Sequence, residues 1–464
     1  MPSYRIHSAG IHMTKRRYTS SSRNVVRNVT RKVVLAMGGV ALLVPSYLLM
    51  AALLTPEEAV ASAGSTTQGG IAPGTQILHV TNLDDDGPGS LRQAISTNGP
   101  RVIVFDVAGV IRLAKDLKIS GPNITIAGQT APDPGIILTG GALRVRARDV
   151  IIQHISVRPG PGASAKDNDN RDAISIDGSS ENEKHQSTNI RLENVSAGWS
   201  VDETLSLWFP MTASVTITNS IVGEALRNAG HPKGSHSMGL LVGYGVTGVQ
   251  ITGNLLVSND FRNPVVVQGA QAYIANNLIF NPGQNAFHFY PRDKQGPTKV
   301  SFVRNVIKSG MDSKKHLVGI LLPNKFVVRP ADKIFIEGNV IDIGPDGRPM
   351  SFPDKFELAV EPPIAASNWA LAPSSDVPKT VLRYAGSRPA RRNPIDLRLI
   401  EGVRKGTARV IDTPPSLDEI KPVTKKVVLP EDPFGLTANG ETKLARWLCK
   451  QHRAVGGMPS ASCQ

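Results

Sequence analysis

Four segments of the chain share one template: apolar, any residue, apolar, two further residues, asparagine and two apolar residues. They are VQITGNLL (249–256), AYIANNLI (272–279), VSFVRNVI (300–307) and IFIEGNVI (334–341), with asparagines at Asn254, Asn277, Asn305 and Asn339. Successive asparagines are separated by 23, 28 and 34 residues. Short strands that recur at such intervals, with insertions of variable length, predict a parallel β-helix. Asparagine suits the bends because it tolerates left-handed backbone and can hydrogen-bond to its neighbours in a stacked ladder.

The composition agrees with a fold made of many short strands. The 464 residues include 43 glycines and 34 prolines, but only 5% are aromatic. Many turns and few large rings argue against a helical bundle, and the absence of a glycine period excludes collagen. A β-sandwich with chance similarity between strands is the alternative. The segment GPGSLRQAIST (87–97) predicts a helix that caps the solenoid, with Ser90 as N-cap and Leu91, Ala94 and Ile95 on its buried face.

Three regions follow from the pattern. Residues 1–63 combine a basic segment, an uncharged apolar run (33–54) and small residues at 59–63, which predicts a cleaved export signal or, alternatively, a membrane anchor. Residues 64–350 hold the β-helix. Residues 351–464 form a C-terminal extension, with a short helix near 442–452, that packs on the solenoid or caps it. We therefore expect a secreted or periplasmic protein that meets a membrane only through residues 1–63.

The charge indicates an anionic partner. The net charge is +14, of which about +6 lies in residues 1–63. A basic stripe interleaved with aromatic residues is not visible, so we expect an acidic polysaccharide rather than nucleic acid. The two cysteines, Cys449 and Cys463, are enough for one clip in an oxidising compartment but not for a disulfide framework. We expect a monomer.

Several motifs, taken in order over residues 75–345, resemble one family. They are VTNLDDDGPGSLRQAIS (80–96), RVIVFDVAGVIRL (101–113), ITIAGQTAP (124–132), ISVRPG (155–160), DAISIDG (172–178), GWSVDE (198–203) and FRNP (261–264). Together they resemble the pectate lyase group of polysaccharide lyases, in its bacterial branch. The resemblance implies a right-handed parallel β-helix and calcium-assisted β-elimination on uronic-acid polymers, with an arginine as base.

The chemistry itself requires particular residue types. Elimination removes a weakly acidic proton next to a carboxylate, so a cation on that carboxylate and a base above the proton are needed. Calcium prefers several oxygen ligands. Asp172, Asp202 and Glu203 are the candidate ligands, with Asp177 as a fourth, because we expect positions 172 and 202 to fall on successive coils. The other interpretation is that these acids occupy turns or neutralise nearby arginines.

The resemblance assigns further roles and also shows two departures. Asp172 and Asp202 match calcium-binding acids of the family, but the position of a further acid is Ser206. Arg262 matches the arginine that takes the proton, whereas a second family arginine is replaced by Val267. HPKGSHSMGLLVG (231–243) resembles the family segment that carries a substrate-binding lysine, and we assign Lys233 to the catalytic residues together with Arg262.

His236 in the same segment, together with Asn254, is assigned to substrate binding. Two other functions remain open from the residues alone. One is a non-catalytic β-helix that binds acidic glycans or the cell envelope. The other is a β-helix glycoside hydrolase, which would need two or three of the carboxylates in one cleft.

Overall fold

The computed structural model describes residues 60–179, 185–292, 296–354, 356–366 and 368–459. The predicted export signal, apart from residues 60–63, and Cys463 lie outside the described residues.

Three parallel sheets form the body of the molecule, and we number them in the order in which one turn of chain visits them. Sheet 1 consists of Gln76–Val80, Arg101–Phe105, Ile124–Ala127, Val150–Gln153, Ser187–Glu193, Thr212–Thr218, Val249–Thr252, Gln271–Ala275, Lys299–Val303 and Lys333–Glu337. Sheet 2 consists of Val107–Arg112, Ile136–Thr139, Ile155–Val157, Ser196–Ala197, Ile221–Gly223, Leu255–Val257, Leu278–Phe280, Val306–Lys308 and Val340–Asp342, with the antiparallel Val423–Thr424 at its edge. Sheet 3 consists of Leu117–Ile119, Leu143–Val145, Ile174–Asp177, Glu203–Trp208, Met238–Val242, Val265–Val267, Asn285–Tyr290, Val318–Leu321 and Arg348–Ser351.

Helices and one small sheet lie outside these coils. The α-helices are α1 (Leu91–Ser96), α2 (Ala165–Asn168), α3 (Val377–Tyr384), α4 (Pro394–Lys405) and α5 (Lys443–Ala454). Two 3₁₀ turns cover Gly128–Thr130 and Ser374–Asp376, and Ala61–Ala63 pairs in parallel with Ile364–Ala366. Among the described residues, we find no helix long and apolar enough to cross a membrane.

Every strand of a sheet pairs with the strand one turn away, so the chain winds as a solenoid. In sheet 1, for example, Ile190 lies between Val150 and Val215 on the neighbouring strands, and all three are fully buried. Such stacks of aliphatic side chains fill the interior and remove apolar surface from water. The predicted right-handed parallel β-helix is confirmed.

The predicted asparagine ladder is present between sheets 1 and 2. Asn277 Oδ1 accepts hydrogen bonds from the backbone N–H and the side-chain amide of Asn254, both at 2.9 Å. Asn305 and Asn339 repeat the arrangement, with bonds of 2.8–3.1 Å. The ladder asparagines are not themselves left-handed. The residue before each one is, with φ between 49° and 69°, at Gly253, Asn276, Arg304 and Gly338.

The N-terminal end of the solenoid is covered by α1. Ser90 Oγ accepts a hydrogen bond from Gln93 N–H at 3.2 Å, and Leu91, Ala94 and Ile95 are buried in the main core. The predicted N-cap and buried face are therefore confirmed.

The C-terminal region packs along the outside of the coils. Helices α3 and α4 contribute Val381 and Leu399 to an apolar cluster with Ile221, Leu278 and Val306 of sheet 2. Helix α5 places Leu444 and Leu448 against the first strands of sheet 1. Sheet 3 is the face on which the predicted acids and Arg262 lie.

Candidate functional site

Four predicted side chains precede four consecutive strands of sheet 3. Asp172 comes two residues before Ile174–Asp177, and Asp202 comes directly before Glu203–Trp208. His236 precedes Met238–Val242 by two residues, and Arg262 precedes Val265–Val267 by three. Because these strands are hydrogen-bonded neighbours, the fold brings together residues up to 90 positions apart in sequence.

A group of three carboxylates forms the centre of the site. One oxygen each from Asp172, Asp202 and Glu203 lie within 4.8 Å of one another. All three residues are buried. Carboxylates this close repel one another unless a proton or a cation joins them.

Asp172 is held by hydrogen-bond donors from three directions. Its Oδ2 accepts from Ser175 Oγ at 2.7 Å and from Ser206 Oγ at 2.5 Å, and its Oδ1 accepts from the Glu203 N–H at 3.1 Å. Burial, with the neighbouring Asp202 second, raises the pKa of Asp172 from its ordinary 3.8 to about 7. Ser206, where the family resemblance leads one to expect an acid, therefore serves as a hydrogen-bond donor to the cluster.

Arg262 reaches the cluster through Glu203, because its Nη1 forms an ion pair with Glu203 Oε1. Burial lowers the pKa of the Arg262 guanidinium below its usual value, although Asp202, Asp172 and Tyr290 act in the opposite direction.

The backbone at Arg262 is left-handed, with φ 60°. Its carbonyl accepts from Leu240 N–H, and a Cβ at Gly239 would lie 2.5 Å from the same oxygen. A non-glycine residue in this conformation is strained, and the surrounding hydrogen bonds keep it there.

Two histidines lie on the other side of Asp202. The rings of His231 and His236 stack with centroids 3.5 Å apart, and their Nε2 atoms lie 3.9 and 3.6 Å from Asp202 Oδ1. His231 Nδ1 accepts from Lys233 N–H at 3.1 Å, so the neutral ring carries its proton on Nε2. His236 Nδ1 faces the carbonyl oxygens of the two preceding residues at 3.2–3.3 Å, which leaves Nε2 as an acceptor. The pair thus offers one donor and one acceptor beside Asp202.

Three other predicted site residues lie elsewhere or at the margin. The carboxylate of Asp177 lies 3.1 Å from Arg146 and 3.9 Å from Arg144, so arginines rather than the acidic cluster surround it. Asn254 is fully buried in the ladder, where its amide is used for internal bonds, so it cannot contact a substrate. Lys233 is 72% exposed, and its Nζ lies 3.7 Å from Asp169 at the rim of the site.

Sequence reasoning missed His231, Ser175 and Tyr290. The signal for His231 was present in the sequence, because it lies five positions before His236. The serines carried no signal, because their role depends on cross-coil register: Ser175 pairs with Ser206. Tyr290, 56% exposed, follows Arg262 by 28 positions and acts on it electrostatically.

Beyond Arg262 the outer face of sheet 3 is apolar and aromatic. Leu241, Val265 and Val267 form a small cluster with Trp208 and Tyr244. Val267, where the family resemblance would place an arginine, pairs with Tyr290 on the next coil. The face next to the acidic cluster is therefore a surface on which a sugar ring can stack.

The structure defines the class of this protein. It is a parallel β-helix that carries carboxylates, an arginine and histidines at the start of its third sheet. A probable pectate lyase C from Aspergillus oryzae is 35% identical over 239 residues, which is 51% of this chain and 51% of that protein. A probable pectate lyase C from Neosartorya fischeri is 33% identical over 236 residues, 51% of this chain and 50% of that protein. The resemblance to the pectate lyase family is confirmed by these relatives, and this chain spans about half of their length.

The fold is shared with a solved structure. The crystal structure of jun a 1, the major allergen from cedar pollen, has a TM-score of 0.51 and 17% identity, and the match covers 70% of this chain and 92% of that one. No family model matches the chain.

Proposed function

We propose that this protein is a polysaccharide lyase that cleaves a uronic-acid polymer, such as pectate, by calcium-assisted β-elimination. The observation that carries the proposal is the convergence of Asp172, Asp202, Glu203 and Arg262 at the start of consecutive strands of sheet 3. The curated relatives, which are named probable pectate lyases, support the same reaction class.

The acidic cluster suits a hard divalent cation. Three carboxylate oxygens within 4.8 Å of one another match the oxygen ligands that calcium prefers. Burial first, and the neighbouring Asp202 second, raise the pKa of Asp172, so its carboxylate is costly to charge in the absence of a cation. We therefore propose Asp172, Asp202 and Glu203 as calcium ligands and leave out Asp177, whose carboxylate is held by arginines. When bound, calcium would neutralise a substrate carboxylate and stabilise the enediolate that forms in elimination.

Arg262 is the proposed base. Its partly buried guanidinium has a lowered pKa, and its left-handed backbone fixes where the side chain emerges. Glu203 holds the guanidinium in the resting site. If Glu203 were to ligate a cation instead, the guanidinium would lose this partner and could release one proton to solvent, and the neutral guanidine so formed would accept the C5 proton of the sugar. A guanidinium normally stays charged, so this step depends on the cationic surroundings of the loaded site.

The histidines and Lys233 are proposed to hold the substrate. A sugar hydroxyl both donates and accepts hydrogen bonds. The His236 Nε2 lone pair, beside Asp202, can accept a hydrogen bond from such a hydroxyl, and the buried ring of His231 stacks against His236 and supports it. Lys233, exposed at the rim, is placed to attract a uronate carboxylate.

The test is elimination itself. Purified protein is incubated with polygalacturonate and calcium, and the absorbance of the unsaturated product is followed with and without a chelator. We expect a rise that the chelator abolishes. Reducing ends without absorbance would indicate a hydrolase, and neither signal would favour a binding protein.

Variants link the reaction to the site. Arg262→Lys keeps the charge but loses the planar fork, and we expect a loss in kcat of about a hundredfold or more. Arg348→Lys is the matched control, an exposed arginine at the start of the last strand of sheet 3. Normal elimination by Arg262→Lys would remove Arg262 from the mechanism.

Export through residues 1–63 remains part of the proposal. N-terminal sequencing of protein recovered outside the cytoplasm should begin near Ser62 or Gly64. Since Ala61–Ala63 pairs with Ile364–Ala366, a start at Ser62 would keep two of the three strand residues. Recovery of the intact chain from the cytoplasm alone would contradict export.

A further inference from the structure

A cavity of about 600 Å³ lies on the outer face of sheet 1, whereas the proposed catalytic site lies on sheet 3. Its volume is in the range of small-molecule binding sites, about 300–1,000 Å³. Three segments of the chain form its walls: residues 65–68, residues 368–380 and residues 458–459.

The floor of the cavity is polar because of the strand alternation. In the strands concerned, the aliphatic side chains point into the solenoid, so the residues between them point outward. Arg191 pairs in register with Thr216, which pairs with Gln250, and Glu193 pairs with Thr218. All five line the cavity. The floor thus presents a cation, an anion, two hydroxyls and an amide within three adjacent strands.

The described residues satisfy only part of the hydrogen-bonding capacity of Arg191. Its Nη2 makes one long hydrogen bond of 3.4 Å, to the carbonyl oxygen of Thr67, and its buried Nε has no hydrogen-bond partner among the described residues. A buried polar group without a partner is costly, so this guanidinium is suited to a ligand oxygen.

The wall formed by the C-terminal region is mostly apolar, with Asn368 and Thr380 as its polar residues. Trp369, Val377 and Met458 line it, with alanines and a proline between them. The Trp369 ring is fixed in place, since its Nε1 donates to Asn276 Oδ1 at 3.0 Å and a Cβ at Gly253 would lie 2.6 Å from the ring. The cavity therefore offers a rigid aromatic wall opposite a polar floor.

We propose that this cavity is a second carbohydrate-binding site, which takes a short oligosaccharide independently of the catalytic site. A pyranose ring has an apolar C–H face that packs on an aromatic ring and hydroxyls that need donors and acceptors. The two-sided lining matches both needs at once. A purely apolar ligand would cover the Arg191 guanidinium without supplying the acceptor that it lacks among the described residues. The proposal does not require the protein to be a lyase.

The test uses the full chain with Arg262→Ala, so that turnover does not consume the probe. Trigalacturonate and the neutral trisaccharides cellotriose and galactotriose are titrated by calorimetry. We expect at least one of them to bind at a site that Trp369→Leu weakens at least tenfold and that Arg191→Leu also weakens. Trp447→Leu, on α5, is the matched control and should leave binding unchanged. Trp369→Leu in the otherwise native chain should leave kcat on polygalacturonate unchanged.

Two results would overturn the proposal. One is the absence of any binding that depends on Trp369 and Arg191. The other is a crystal structure in which residues 460–464 fill the cavity. Neither bears on elimination at sheet 3, because the Arg262 variants and the absorbance assay test that separately.

Discussion

Replacing Asp172 by asparagine should change how the stability of the cation-free protein depends on pH. Asp172 is the buried acid whose pKa is raised to about 7 by burial and by Asp202. Asparagine has the same shape, and the hydroxyls of Ser175 and Ser206, which now donate to Oδ2, can turn to accept from an amide. The substitution therefore removes the titration with little change in packing.

The magnitude and sign follow from the two pKa values of Asp172. In the unfolded chain the carboxyl returns to its ordinary 3.8, so the folded chain holds a proton that the unfolded chain releases between pH 4 and 7. The contribution of Asp172 to the free energy of unfolding is therefore fully present below about pH 4 and is lost as the pH rises through about 7. At about 1.4 kcal/mol per pH unit, the loss over this interval is about 4 kcal/mol.

The assay is chemical unfolding with a chelator present, at several pH values between 4 and 8, for the native chain and Asp172→Asn. The difference in free energy of unfolding between the two should change by about 4 kcal/mol over this range, with the native chain losing stability as the pH rises. Calcium added at pH 8 should restore stability to the native chain by binding its folded state. Parallel pH curves for the two proteins would show that the pKa of Asp172 is not raised in the folded chain.

Four further outcomes are expected. Glu203→Gln should raise the calcium concentration for half-maximal elimination if Glu203 is a ligand; a lower kcat at unchanged calcium demand would restrict it to positioning the arginine. Asp202→Ala should raise that concentration more strongly, and an unchanged calcium titration would make Asp202 structural. Lys233→Ala should raise KM severalfold with kcat unchanged in steady-state kinetics, since its ammonium lies at the exposed rim; a fall in kcat alone would contradict this. Asn277→Ala leaves the buried N–H of Asn254 without its acceptor and should lower the free energy of unfolding by about 3 kcal/mol in urea; a loss below about 1 kcal/mol would mean that the ladder contributes little.

The sequence predicted the solenoid well because its signal is repeated. Each coil carries the same alternation, and Asn254, Asn277 and Asn305 mark the same bend, so an error at one coil would not change the fold. The same property misled the assignment of Asn254 to substrate binding. A ladder residue and a site residue are both polar residues beside a strand, and only burial separates them.

The site was predicted in part because its acids lie at equivalent positions on successive coils. Asp172 and Asp202 came together as expected. The sequence could not show which arginine on a neighbouring coil would lie beside each acid. Asp177 meets Arg146 across 31 residues, and Glu203 meets Arg262 across 59, through a register that depends on the length of every intervening loop.

Helices α3 and α4 escaped prediction for a similar reason. Their apolar residues do not form a core of their own. They pack against the outward side chains of sheet 2, and the sequence did not indicate which segment would cover those side chains.

The packing of the C-terminal region along sheet 2 has a mechanical consequence. An array of coils in which each turn touches only its neighbours can fray from its ends, one turn after another. Here Arg158, on the coil of Ile155–Val157, forms a fully buried ion pair with Asp396, and Arg398, on the same helix, is bonded to Glu224 two coils further on. Asn281 donates to the Ala408 carbonyl still further along. These links tie several coils to one segment of the C-terminal region, residues 396–408. Unwinding a single coil would therefore also disturb the contacts of this segment with coils that are still folded. The solenoid should therefore resist peeling under force and lose its central turns together in one event.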